Sequence, residues 1–350
     1  MLKEKALDLL MQLIANPSFS QEEEATAAVI EGWFNGFDIP FKRENNNVYA
    51  FNKYFDSAKP TLLLNSHHDT VKPNSAYTRD PFEPRVEEGK LYGLGSNDAG
   101  GALVSLIATF THFYGMQNLN HNLVLVASAE EENSGAKGLN SMLPILPQID
   151  LAIVGEPTLM QLAIAEKGLV IFDGIVKGTP SHAAHPNNDN SIYNTIKVLE
   201  WFKNFSFEKV SEVLGEVKLT VTQINAGTQH NVVPAQVDLV VDVRVNDKYS
   251  NKEIADILMA EAPCILKPRS LRLNSSAIDK NHPLVLSGMA MGRTTYGSPT
   301  LSDQAVLSCQ SLKMGPGDST RSHSANEFIY VKEIEEGIEL YIKMLERFLT

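Results

Sequence analysis

Apolar positions follow two rhythms along this chain. Leu2–Ile14 and residues 25–34 repeat their apolar side chains every three to four residues, which predicts two amphipathic helices parted by Asn16-Pro17-Ser18. Ser20 and Glu23 have the spacing of a capping box, expected to open the second helix. Residues 41–51 and 61–65 read as strands. The second is almost wholly apolar, as in a strand covered on both faces. Residues 72–90, rich in Pro, Asp, Arg and Glu, read as loop. Beyond the glycine-rich turn LYGLGSNDAGG, Ala102, Leu103, Leu106, Ile107 and Phe110 predict a helix to about residue 116. Strands follow at 122–129 and Leu151–Val154. Buried strands alternating with helices predict an α/β fold with a central sheet.

After Glu166 the rhythm changes. The pattern predicts strand 169–176, helix 190–205, strands 217–225 and 237–245, helix Asn251–Glu261 and a short strand at 270–274. VDLVVDVRV alternates clearly, as in a sheet with one face covered. Strand-helix-strand-strand-helix-strand is the order of a ferredoxin-like α+β sandwich. From about residue 277 the α/β texture returns, with a helix expected at 303–312 and an amphipathic helix at Val331–Leu349. The smaller domain, 167–277, is thus expected to be inserted into a larger one formed by 1–166 and 278–350.

At 350 residues the chain is long enough for two cores. A formal charge of −12 argues against a nucleic-acid partner. Cys264 and Cys309 lie far apart, without metal or disulfide spacing, which fits a reducing compartment. The first helix lacks the unbroken apolar core of a signal peptide, and no run is long enough to cross a membrane. A cytoplasmic location is expected.

The candidate chemistry lies where apolar runs end. Asp98 sits in the glycine-rich strand-to-helix turn. His67-His68-Asp69, Glu130-Glu131-Glu132 and Glu156 each follow a strand, and His323 lies in GPGDSTRSH. On α/β sheets, ligands gather at the carboxyl ends of strands. His67 and Asp69 are two apart and face the same side, so Asp69 can orient a metal-bound imidazole. His68 faces the other way and reads as packed. An isolated run of three glutamates is usually a solvated turn. Here it follows NLVLVASA, and of two adjacent glutamates one could bind an ion and the other hold a metal-bound water. Asp98, Glu132 and Glu156 bring three negative charges, with His67 and His323 neutral. Two divalent ions and a bridging hydroxide would balance them. Such mixed donors suit zinc, with cobalt or manganese as substitutes. The turn at Asp98 could instead cradle phosphate, but its spacing fits neither glycine-rich nucleotide motif.

SHHDTV, LYGLGSNDAGG, AEEENSGA, VGEPT, GTPSHAAHP, NVVP with VDVR, and GPGDSTRSHSANE occur in this order. Together they resemble the zinc metallopeptidase and deacylase family of acetylornithine deacetylase, succinyl-diaminopimelate desuccinylase, aminoacylase and carboxypeptidase G. The resemblance covers nearly the whole chain and implies a zinc-binding α/β domain carrying an inserted dimerisation domain. It implies two zinc ions per subunit, one held by His67 and Glu156, the other by Glu132 and His323, with Asp98 between them. Glu131 becomes the general base and Asp69 the partner of His67. By the same resemblance, His182 is expected to reach across a homodimer to steady the oxyanion. Asn231 and Arg244 bind substrate, Arg244 through two parallel hydrogen bonds to a carboxylate. The family's usual Asp-Met-Lys-Gly-Gly reads Asp98-Ala99-Gly100-Gly101 here, one residue short, so the local turn can differ.

The reaction expected is hydrolysis of the N-acyl bond of an amino acid, with Glu131 moving the proton. Within the family, chain length, GEPT and the insert look most like the acetylornithine deacetylase group, a resemblance that implies N2-acetyl- or N2-succinyl-ornithine as substrate, with ornithine formed for arginine synthesis. Lysine and diaminopimelate analogues are close rivals, and a di- or tripeptidase is the alternative activity.

Overall fold

The computed structural model describes residues 2–350, so the first position of the expected catalytic domain lies outside it. The chain divides into two compact units. The larger comprises residues up to Ile164, Ala277–Tyr296 and Ser302–Thr350, and the smaller comprises Ala165–Ser276 and Gly297–Leu301. The segment Gly297–Leu301, assigned from sequence to the larger domain, packs with the smaller one.

The larger unit is built on a mixed sheet. From one edge it runs Phe41–Glu44, Asn47–Phe51, Asn122–Ser128, Thr61–His67, Leu151–Val154 and Gln310–Lys313. The last four are parallel, in the register His67 to Ser128, Asn65 to Val154 and Val154 to Lys313. Thr61–His67 and Asn122–Ser128 are buried along their whole length, which explains why their sequences do not alternate. One face packs on Leu2–Ile14, Glu24–Gly36, Gly101–Phe113 and the closing helix Val331–Leu349, with Leu10, Phe34, Phe110 and Tyr341 at its centre. The other face packs around Leu63, Val124, Val126 and Met142.

Four local expectations are corrected. Within the segment 72–90 read as loop, Arg85–Glu87 is a strand, paired antiparallel with Lys90–Tyr92. Residues 41–51 form two strands, because Asn45 turns with φ 54° between them. The Ser20–Glu23 capping box does not form. Glu23 is itself the N-cap without a side-chain cap, and the Ser20 hydroxyl donates to Asp69 instead. The predicted helix 303–312 is a short 3-10 turn, Asp303–Val306, followed by the strand Gln310–Lys313.

The smaller unit has the element order foreseen: Gly168–Lys177, Ser191–Asn204, Lys218–Ala226, Gln236–Val245, Asn251–Glu261 and Ile265–Pro268. The last strand falls at 265–268, five residues before its expected start. The four strands are antiparallel. Across the sheet the first strand lies between the third and the fourth, as in a ferredoxin-like sandwich. Phe172, Val198, Val241 and Leu258 fill its core.

Candidate metal centre

The parallel strands bring their carboxyl ends to one place. His67 ends one strand, Glu130–Glu132 follow the end of Asn122–Ser128, and Glu156 lies two residues beyond Val154. Asp98 comes from the turn before helix Gly101–Phe113, where Gly95, at φ 76°, packs so closely that a Cβ would lie 2.5 Å from Thr70 Cγ2.

Asp98 stands between two histidines. Its Oδ1 is 3.4 Å from His67 Nε2 and its Oδ2 is 3.6 Å from His323 Nε2. On the first side, His67 Nε2 lies 3.9 Å from Glu156 and 3.9 Å from Glu131. On the second, His323 Nε2 is 3.1 Å from Glu132. Ligand atoms of His67, Asp98 and Glu132 all lie within 4.8 Å of one another.

The triplet of glutamates divides clearly. Glu130, at φ 55°, turns away: its Oε2 accepts the Lys137 N–H at 3.1 Å. Glu131 and Glu132 face the cluster, one toward each histidine. Asp69 shapes this turn more than expected. The nearest partner of His67 Nδ1 is the main-chain carbonyl of Asp69 at 2.9 Å, with the carboxylate at 3.4 Å. The buried carboxylate instead accepts the N–H groups of Glu131 and Glu132, each at 3.1 Å, and the Ser20 hydroxyl at 2.7 Å. It thus fixes both the imidazole and the acidic pair. His68 packs away between Thr26 and the Asn46 carbonyl.

The electrostatics suit a cation. Burial holds Glu131 well above the usual carboxylate range, and the charges of Glu156 and Asp303 add to it. Burial, with the charge of Asp98, pushes Glu156 up to about 8. Burial would lower His67, but hydrogen bonds to Asp69 and Asp98 outweigh it and raise this group well above its ordinary value. The hydrogen bond to Glu132 lifts His323 to about 9. Asp98 is held low: burial opposes its charge, but His67 and the Ser322 hydroxyl prevail. Like charges crowded into a buried place need a counter-charge, and two imidazoles among four carboxylates form the mixed N/O donor set that divalent metals such as zinc take.

The structure also supplies residues that sequence reasoning missed. Asp303 accepts from Ser128 Oγ at 2.6 Å, and the same hydroxyl accepts from Asn65 at 2.9 Å, beneath the cluster. Asn97 and Glu327 brace the turn at Asp98. Only the acid ending ANE, just before an apolar strand, could have hinted at the last.

His182, Asn231 and Arg244 belong to the smaller unit. His182 is exposed, pairs with Val232 in a two-stranded ribbon and accepts the Ala184 N–H at 3.1 Å. Asn231 is exposed, and its carbonyl accepts the Ala183 N–H. Arg244 is engaged by Asp242 through two bonds of 2.9 and 3.1 Å. The double grip expected for a substrate carboxylate is therefore taken by a neighbour two residues away.

Comparison with known proteins agrees with this arrangement. Acetylornithine deacetylase of Proteus mirabilis is 28% identical, over 98% of this chain and 96% of its own length. Succinyl-diaminopimelate desuccinylase of Wolbachia pipientis is 27% identical, over 98% and 93%. An M20 family metallo-carboxypeptidase from Sulfolobus solfataricus shares the fold with a TM-score of 0.75 at 17% identity, over 98% of both chains. A dinuclear metal-binding peptidase of the M20 family from Bacillus subtilis superposes with a TM-score of 0.74 at 14% identity, over 99% and 98%. The model of Peptidase family M20/M25/M40 matches residues 63–347, so this chain belongs to that family of metal-dependent peptidases and amidohydrolases.

Proposed function

We propose that this protein is a dinuclear zinc amidohydrolase that removes the acyl group from an N2-acyl amino acid. One observation carries the reading: a single carboxylate, Asp98, turns one oxygen toward His67 and the other toward His323. His67 and Glu156 would hold one ion, Glu132 and His323 the second, and Asp98 both. When bound, such a pair lowers the pKa of water toward about 7 and polarises the acyl carbonyl.

The remaining work falls to the protein. Glu131 faces the cluster without being needed as a ligand. Its raised proton affinity suits a group that takes a proton from the attacking water and returns it to the departing amine. Asp69 keeps Glu131 in place through its backbone amide. His182 donates a hydrogen bond to the developing oxyanion from the second subunit of a homodimer. Support for a dimer lies on helix Ser191–Asn204, where Ile192, Tyr193, Ile196 and Leu199 are exposed. Asn231 and Arg244 are proposed to contact the substrate, Arg244 with its guanidinium already half-committed to Asp242.

The preferred substrates are N2-acetyl- and N2-succinyl-L-ornithine, giving ornithine for arginine synthesis in the cytoplasm. A second reading has a specific basis: several relatives of similar identity are succinyl-diaminopimelate desuccinylases. Release of free amine from acetyl-ornithine, succinyl-ornithine, acetyl-lysine, succinyl-diaminopimelate and dipeptides, measured on the zinc-loaded protein, decides between them. A kcat/KM highest for an acyl-ornithine supports the proposal. Highest turnover on the diaminopimelate or dipeptide substrates replaces it.

A further inference from the structure

The segment from His323 to Glu327 begins with one candidate ligand and ends with a carboxylate that the proposed reaction does not use. Glu327 is only 1% exposed. Its Oε1 accepts the main-chain N–H of Asn97 at 2.8 Å and of Asp98 at 2.9 Å, and the Gly95 amide adds to the same group. Its own carbonyl accepts the Gly93 N–H at 3.0 Å. The amides of the turn thus converge on one side chain, directly behind the residue whose carboxylate stands between the two histidines.

A buried acid is an expensive filler here. A neutral side chain of the same size would fill the space without that penalty. What a carboxylate adds is strength and direction, because hydrogen bonds to an ionised acceptor are about twice as strong as neutral ones.

The same segment is fastened on its other side. Asn326 Oδ1 accepts the N–H groups of Thr78 and Arg79 at 3.0 and 3.1 Å, and its Nδ2 donates to Thr78 Oγ1 at 2.7 Å. Asn74 Nδ2 donates to the His323 carbonyl at 3.2 Å. Asn97 in turn ties the turn to Asp318 and Ser322, just before His323. The loops carrying Asp98 and His323 are therefore fixed to each other by side chains outside the candidate ligand set.

We infer that Glu327 is a positioning residue: its carboxylate clamps the Asn97–Asp98 amides so that Asp98 presents one oxygen to each half of the metal site. The inference rests on the reading of Asp98 and His323 as metal ligands.

The test is a competition titration with zinc alone against a chromophoric chelator. It uses the metal-free full chain as wild type, E327D, E327Q and D98A, with the melting temperature of each measured alongside. Glu327→Asp keeps the charge but withdraws its reach, and should weaken zinc binding by about 10- to 100-fold, the scale of a lost outer partner. Glu327→Gln keeps an acceptor at the same reach and should fall between, at about 3- to 10-fold. If E327D does not fold, E327Q carries the test. Zinc affinities for the folded variants within about twofold of wild type, whatever their melting temperatures, overturn the positioning role. D98A distinguishes the two failures. If it binds zinc as wild type does, the metal-site reading fails and takes this inference with it. If only D98A is weakened, Glu327 alone is misassigned.

Discussion

The two units of this chain bury their sheets differently, and the difference accounts for where the chemistry sits. In the larger unit the central strands are covered on both faces, so polar groups can emerge only at their ends. His67 and Ser128 occupy such ends, and Glu131 and Glu156 the turns just beyond them. In the smaller unit the strands alternate. Gln236–Val245 buries Val237, Leu239, Val241, Val243 and Val245 in turn and leaves the residues between them on the other face. Its core is apolar, while the larger unit stores several carboxylates and imidazoles in a buried place. The first arrangement makes a site for cations. The second makes a self-contained apolar core.

That contrast can be broken in several places. The largest effect is expected from Glu131→Gln, which should lower kcat by about 10²- to 10⁴-fold. Zinc content should remain near that of wild type, since Glu131 is read as a proton carrier and not as a ligand. Steady-state rates with elemental analysis check both, and substantial remaining turnover would move the base elsewhere. Phe172→Ala should remove about 3–5 kcal/mol of stability from the smaller unit, the usual cost of emptying a buried aromatic position. Denaturant unfolding measures it. Zinc affinity should be unchanged at temperatures where the variant is folded, and a parallel loss would show that the two units are not separable. His182→Ala should slow chemistry by about 100-fold or more, with zinc affinity intact. An unchanged kcat would end the cross-subunit role.

A smaller effect sharpens the electrostatic side. In the metal-free chain Glu156 is pushed up to about 8 from 4.5, and His323 to about 9 from 6.5. Both bind more protons when folded than when unfolded, so their contribution to stability falls as pH rises from about 4.5 through about 9. Zinc bound by Glu156 and His323 would take the place of those protons. The rise in melting temperature on adding zinc should therefore be larger at pH 8 than at pH 6. A rise independent of pH would mean that the cluster is not displaced by metal.

Much of this was legible in the sequence, for physical reasons that differ by region. The strand Thr61–His67 and the helix Val331–Leu349 announce themselves because their burial is uniform or strictly periodic. Asp98 stands out because a carboxylate among four nearby glycines has few bland uses. Long-range pairing was hidden. Gln310–Lys313 becomes a strand through parallel partners more than 150 residues away, and local pattern favoured a helix. The Ser20 hydroxyl looked like a cap but is drawn to Asp69, 49 residues on. The register of Glu130–Glu132 could not be read from three identical letters. The left-handed turn at Glu130 separates them by sending one side chain away from the cluster. The pairing of Arg244 with Asp242 was visible only in coordinates, since two residues apart on a strand says that side chains share a face, not that they touch.

The most direct test is anomalous scattering at the zinc edge from crystals of the zinc-loaded protein. Two peaks flanking the Asp98 carboxylate are expected, one beside His67 and Glu156 and the other beside Glu132 and His323. A single peak, or peaks remote from Asp98, would contradict the account.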